Sequence, residues 1–156
     1  MNLKKINWKA LLFFLGYTLI LAGIGALLGG SMDLTAYEQP ALTPPAWLFP
    51  VAWTILYTLM AIAAYLVYVS GDIDRRKPLQ LYLLQVVVNI LWPLFFFRLE
   101  WRLFALVWLL LLLALVILTA KGFYPISRTA FWLLVPYVAW LVFAAYLNFG
   151  FYVLNG

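Results

Sequence analysis

The sequence predicts an all-α integral membrane protein, a bundle of five transmembrane helices. Three observations carry this prediction. Of 156 residues, 68% are hydrophobic and only 10% charged, where a soluble domain holds about 45–50% apolar and about 25% charged residues. The mean hydropathy is +1.04, more apolar character than a water-soluble chain of this size can bury. The apolar residues also gather into five runs, each long enough to cross a hydrocarbon core of about 30 Å. The runs fill the chain as a single domain, residues 1–156, and leave no room for a second, soluble one.

The first span covers residues 8–28 and follows Lys4 and Lys5. Those lysines, with the small residues near Ala22–Ala26, also resemble a cleavable signal peptide. The apolar run is long for one, and its removal would leave four spans with a less consistent charge pattern. Gly25 and Gly29 are four apart, a surface for close helix packing or for a dimer seam. The second span covers 44–69, with Pro44-Pro45 expected to open it, where missing N–H groups cost nothing. The third covers 79–97, the fourth 101–120 and the fifth 129–154. Pro50, Pro93 and Pro136 each free a carbonyl and are expected to bend their helices. Pro40, Pro44 and Pro45 stiffen the first long loop, a candidate lid. Trp8, Trp47, Trp101 and Trp132 fall near span ends, where indoles anchor at the membrane interface. Trp53, Trp92, Trp108 and Trp140 lie deeper.

The charges orient the bundle. Lys4, Lys5, Lys9, Arg75, Arg76, Lys77, Lys121 and Arg128 all fall on one side of five spans. Only Arg98 and Arg102 fall on the other. The positive-inside rule then puts the N-terminus in the cytoplasm and the C-terminus outside. The net charge of +5 reads as topology rather than as nucleic-acid binding.

Two residue types are missing, and chemistry goes with them. Without Cys there is no thiolate nucleophile, zinc knuckle or iron–sulfur ligand. Without His the usual general base and the commonest metal ligand are gone, so no metal site is expected. No Asp, Glu, Lys or Arg lies mid-span, which disfavours an ion-coupled transporter or proton relay. No phosphate-binding loop appears, which disfavours ATP-driven transport.

What remains is aromatic and amide. On the third span Tyr82, Gln85, Asn89, Trp92 and Phe96 share an arc of about 80°. Gln85 and Asn89 serve either interhelical hydrogen bonds or a binding wall. On the second span Phe49, Trp53, Tyr57 and Met60 share a face. On the fifth, Tyr137, Trp140, Ala144, Leu147 and Asn148 do. Three such faces make either ordinary packing or an apolar pocket for a flat molecule.

Three motifs carry a resemblance. Pro44-Pro45-Ala46-Trp47-Leu48-Phe49-Pro50-Val51-Ala52-Trp53 continues through Tyr57 to Met60. Gln85, Asn89 and Trp92 form the second motif, with Phe95, Phe96 and Phe97 behind. Pro136-Tyr137, Trp140 and Leu147-Asn148 form the third. In this order they resemble the translocator protein family (TspO/MBR), also called tryptophan-rich sensory proteins or peripheral benzodiazepine receptors. Gln39-Pro40 stands where that family usually has Lys-Pro, Asp33-Leu34 where it often has Trp-Tyr, and Leu42 where a Trp is frequent. No Lys or Arg follows Tyr146 or Tyr152, so its C-terminal cholesterol pattern is not expected.

The resemblance implies a five-helix bundle, commonly a homodimer, in a bacterial plasma membrane. It implies a receptor or sensor for a flat hydrophobic ligand, notably a porphyrin such as protoporphyrin IX; some members bind sterols or benzodiazepine-site drugs. The ligand-binding residues it points to are Trp53, Asn89, Trp92, Trp140, Ala144 and Leu147, with Pro44, Phe49 and Tyr57 nearer the loop. The polar edges of the ring are left to Asn89 and Gln85. No cofactor is required beyond the porphyrin as ligand, and with no His or Cys to hold iron the metal-free ring is preferred. Two alternatives accompany this reading. In a light-dependent porphyrin-degrading enzyme, Trp53 and Trp140 would be the catalytic residues. A transporter would move tetrapyrroles or similar metabolites.

Overall fold

A computed structural model describes residues 5–31 and 33–156. Its helices are α1 (Trp8–Gly29), α2 (Leu48–Val69), α3 (Arg76–Pro93), α4 (Arg102–Phe123) and α5 (Arg128–Asn155). Each of the five is long and apolar enough to cross a bilayer. Large apolar side chains such as Leu12, Ile20, Leu27, Val107, Leu110 and Val153 face outward. This surface suits lipid and not water, and the protein is an integral membrane protein.

Each boundary has a local cause. Asn7 caps α1, its side chain accepting the Ala10 N–H at 3.1 Å. Gly30, at φ 69°, lets the chain turn away, and Arg98 Nη2 donates to the freed Leu27 carbonyl. Pro44-Pro45 does not open α2, contrary to the sequence expectation. A residue before proline is held out of the helical region, so the chain turns first and α2 starts at Leu48. Pro50 thereby falls in the first turn of α2, where no helical hydrogen bond is lost. Pro93 does break the pattern: α3 passes into a wider π-turn over Leu94–Arg98. Glu100, at φ 55°, completes the tight turn into α4. Helix α5 runs uninterrupted through Pro136. Ser127 caps it by accepting the Ala130 N–H.

The helices form a closed ring in the order α1, α2, α5, α4, α3. Fully buried Met60, Ala61, Ala63, Ala64 and Val67 of α2 pack near Tyr82, Val86, Leu134, Tyr137 and Leu141. Small residues let helix backbones approach, which is how helices associate in lipid. Gly25 makes one such approach: a Cβ there would lie 3.0 Å from Ile90 Cβ. This glycine therefore packs α1 on α3 within the chain. Trp108 Nε1 donates to the Val88 carbonyl at 2.7 Å, which joins α4 to α3. Trp8, Trp47, Trp101 and Trp132 are all exposed near helix ends, as interfacial anchors should be. Lys5, Lys9, Arg75, Arg76, Lys77, Lys121 and Arg128 gather at one end of the ring. Lys4, counted with them from sequence, lies outside the described residues.

Candidate ligand site

A cavity of about 320 Å³ opens inside the ring toward the end that carries the 30–47 loop. Helix α2 contributes Phe49, Pro50, Trp53, Thr54 and Tyr57. Helix α3 and its π-turn contribute Trp92, Pro93, Phe96 and Phe97, and α5 contributes Trp140, Ala144, Leu147, Asn148 and Phe151. Helix α1 supplies Leu19, Ala22, Gly23, Gly25 and Ala26, and the loop supplies Leu34.

The rings of the wall are locked by one another. Trp53 stacks on Tyr57 at 5.3 Å between centroids and meets Trp140 edge-on at 6.3 Å. Phe49 meets Trp140 edge-on at 6.1 Å, and Trp92 stacks on Phe96 at 4.8 Å. Such pairs add about 0.5–1.5 kcal/mol each beyond area burial and fix ring orientation. Ala144 keeps the space beside Trp140 open, because a larger side chain at that position would fill it.

Most of the polar groups on the wall are already paired. Trp92 Nε1 donates to Asn148 Oδ1 at 3.0 Å, and Asn148 Nδ2 donates to the Arg102 carbonyl at 2.8 Å. Thr54 Oγ1 donates to the Pro50 carbonyl at 2.7 Å. Trp140 Nε1 is buried without a partner among the described residues. The site therefore offers a ligand flat apolar faces and very few free hydrogen-bonding groups.

Of the residues expected from sequence, Phe49, Trp53, Tyr57, Trp92, Trp140, Ala144 and Leu147 meet on this one cavity. Pro44, Gln85 and Asn89 do not line it. Pro44 sits in the turn ahead of α2. Gln85 and Asn89 are fully buried one layer deeper. There Asn89 Nδ2 donates to Tyr137 Oη at 2.6 Å, and Tyr137 Oη donates to Gln85 Oε1 at 2.9 Å. Gln85 Nε2 in turn donates to Met60 Sδ at 3.6 Å. The two amides bind α3 to α5 and α2, and the Tyr137 ring meets Trp53 of the wall edge to face at 6.2 Å. Helical periodicity put them on the right face of α3 but could not set their depth.

The whole α1 wall was missed. Its sequence signal was the run of small residues Ala22, Gly23, Gly25 and Ala26, which was legible only as helix packing. The loop covers the cavity by a different route from that expected of its prolines. Among the described loop residues Leu34 alone reaches the space, while Pro40 sits in a notch over Gly150. Asn155 holds the Glu38 backbone at both ends, at 2.9 Å and 2.8 Å, and Tyr146 Oη donates to the Ala41 carbonyl at 2.7 Å. The Tyr37 hydroxyl donates to the Glu100 carboxylate, and that bond, ahead of burial, raises its pKa above the ordinary tyrosine value. Arg102, itself buried, lies over the Tyr37 ring at 4.5 Å and donates to the Gly156 carbonyl.

A helical integral membrane protein with a deep aromatic cavity beneath a strapped loop is the class that this fold and site define. Within that class the family is specific. Residues 11–154 match the TspO/MBR family, and the chain belongs to it. It is 40% identical to the tryptophan-rich protein TspO of Archaeoglobus fulgidus over 76% of each chain. It is 36% identical to the translocator protein homolog of Schizosaccharomyces pombe, over 99% of this chain and 94% of that one. Identity to the tryptophan-rich sensory protein of Cereibacter sphaeroides is 34%, over 93% and 90%.

Proposed function

We propose that the protein is a membrane receptor or sensor that holds a flat hydrophobic molecule, a porphyrin such as protoporphyrin IX, in the cavity. One observation carries this reading: three indoles from three helices, Trp53, Trp92 and Trp140, wall one apolar space. A porphyrin face laid on these rings leaves water at a gain of about 25 cal/mol per Å² of apolar area. Its carboxylates are too costly to bury unpaired. They point to the loop end, where Arg102, Ser31 and Tyr37 line a smaller adjoining recess together with the acidic Asp33. With neither His nor Cys in the chain, iron finds no strong axial ligand, and the metal-free ring is the preferred form. The native setting in this reading is a bacterial plasma membrane, with the basic end of the bundle in the cytoplasm and the protein a homodimer.

Quenching of tryptophan fluorescence by protoporphyrin IX in the dark tests the reading, with wild type compared with Ala144→Phe. Saturable quenching in the wild type, weakened at least tenfold in Ala144→Phe, is the expected result. Linear quenching, the same in both proteins, would mean partition into detergent and would sink the proposal. The edge-on contact of Trp53 with Trp140 favours a second reading, light-dependent oxidation of the bound porphyrin. Illumination of the same complexes addresses it: a Trp53→Phe/Trp140→Phe protein that binds porphyrin should then degrade it slowly. Equal decay in that variant, wild type and a detergent blank removes this reading.

A further inference from the structure

The cavity has two sides on which it could open, and they differ in kind. Toward the aqueous end it is covered by the loop, which is tied down at several separate points. Asn155 brackets Glu38, Tyr146 holds Ala41, Tyr37 meets Glu100, and Pro40 is seated over Gly150. A Cβ on Gly150 would come within 2.5 Å of Pro40 Cβ, so the loop lies directly on α5. Opening this side means breaking several hydrogen bonds and a packed contact together.

The flank between α1 and α2 is different. These helices are joined near the basic end, where Tyr65 Oη accepts the Asn7 N–H and Phe14 packs on Tyr68 at 5.7 Å. Toward the loop end their facing residues line the cavity instead. Leu19, Gly23 and Ala26 of α1, and Pro50 and Thr54 of α2, line the cavity and are themselves exposed, so no side chain of another element covers them. Leu19 is 40% exposed, and a Cβ built on Gly23 meets no atom within 4 Å. The α3 and α5 walls opposite are less exposed: Phe96, Ala144, Leu147, Asn148 and Phe151 are buried, and Trp92, Phe97 and Trp140 half-buried.

We propose that the ligand enters and leaves sideways, through a slot between α1 and α2 that faces the hydrocarbon layer. This inference rests on the reading of the cavity as a ligand site and adds the route and the chemistry it selects. A molecule taking this route is already dissolved in the bilayer. It presents an apolar edge to Leu19 and Pro50 and sheds no hydration shell on entry. The one polar side chain among the slot residues, Thr54, spends its hydroxyl on the Pro50 carbonyl, so the slot asks for no hydrogen bond in transit. Molecules confined to water are excluded by the strapped loop.

Kinetics in lipid nanodiscs test the route. Protoporphyrin IX is first partitioned into vesicles, and its transfer to the protein is followed by stopped-flow porphyrin emission. Gly23→Trp and, separately, Thr54→Trp place an indole in the slot, and each should slow association and release together by tenfold or more. Asn155→Ala/Tyr146→Phe unties the loop and should leave both rates within twofold of wild type. Wild-type rates in both slot variants, or acceleration on untying the loop, would overturn the sideways route. Absence of saturable binding in the wild type is a separate result: it removes the ligand site itself, and the route with it.

Discussion

Tyr137 ties three helices together through one oxygen. It accepts from Asn89 and donates to Gln85, both on α3, and Gln85 continues to Met60 on α2. All four residues are buried, so loss of the hydroxyl leaves two amides without their partner. Interhelical bonds in a bilayer are worth about 0.6–2 kcal/mol, and an orphaned buried group adds its own cost. Tyr137→Phe should therefore lower the unfolding midpoint in mild detergent by an amount equivalent to about 1–3 kcal/mol. Removing the amides as well, in Tyr137→Phe/Gln85→Leu/Asn89→Leu, should recover part of the loss, because apolar replacement of a whole network is tolerated better than half of one. No change in the single variant would show that the chain of bonds is not holding α3 to α5. Gln85 and Asn89 were legible in the sequence as a polar pair on one face. Whether that face met the cavity or lay behind it depended on the rotation and depth of α3 against α5, which spacing along one helix does not encode.

The elements differ in how closely they approach their neighbours, and glycine marks the close points. Gly25 faces Ile90, Gly122 faces Pro78 and Gly150 faces Pro40, each with a gap that a Cβ would fill to 3.0 Å or less. Gly16 and Gly23 face open space. Alanine at Gly122 or Gly150 should lower thermal stability, since the facing residues, Pro78 and Pro40, are rigid prolines. Gly25→Ala should do so more mildly, because Ile90 has only a few tenths of an ångström to give. At Gly16 or Gly23 the same change should be neutral or stabilising by up to about 1 kcal/mol, the usual helix-propensity gain. Destabilisation at Gly23 equal to that at Gly150 would contradict the packing described. From sequence only Gly25, four before Gly29, stood out as a packing position; the other four glycines look alike. The helices themselves were readable to within a few residues because length and apolarity dictate them. The start of α2 was misplaced through the reading of Pro44-Pro45, and the α1 wall was missed because its polar residues, Tyr17 and Thr18, bond α3 below the cavity, while the residues that line it are all small or aliphatic.

On the scale of the whole molecule, charge is sorted by end. Seven of the nine basic residues among the described residues belong to the end that holds the start of α1 and the α2–α3 and α4–α5 connections. The loop end holds Asp33, Glu38 and Glu100 against Arg98 and Arg102. Because the chain has no cysteine, single introduced thiols report its orientation cleanly. Ser31→Cys, in the first loop, should react with a membrane-impermeant maleimide on intact bacterial cells, and Ser70→Cys, at the basic end, only after permeabilisation. The reverse pattern would invert the proposed topology. The ring order α1, α2, α5, α4, α3 has a further consequence for how the protein is made. Helices of a nascent chain enter the bilayer in sequence, so α3 crosses while the partner for its two amides is still unsynthesised. Until α5 arrives the ring has a gap between α2 and α4, Gln85 and Asn89 lack Tyr137, and Trp140 is absent from the wall. Closure of the cavity is thus the final event of biogenesis, and a chain arrested one helix short leaves the ring open between α2 and α4 with both amides unpartnered by Tyr137.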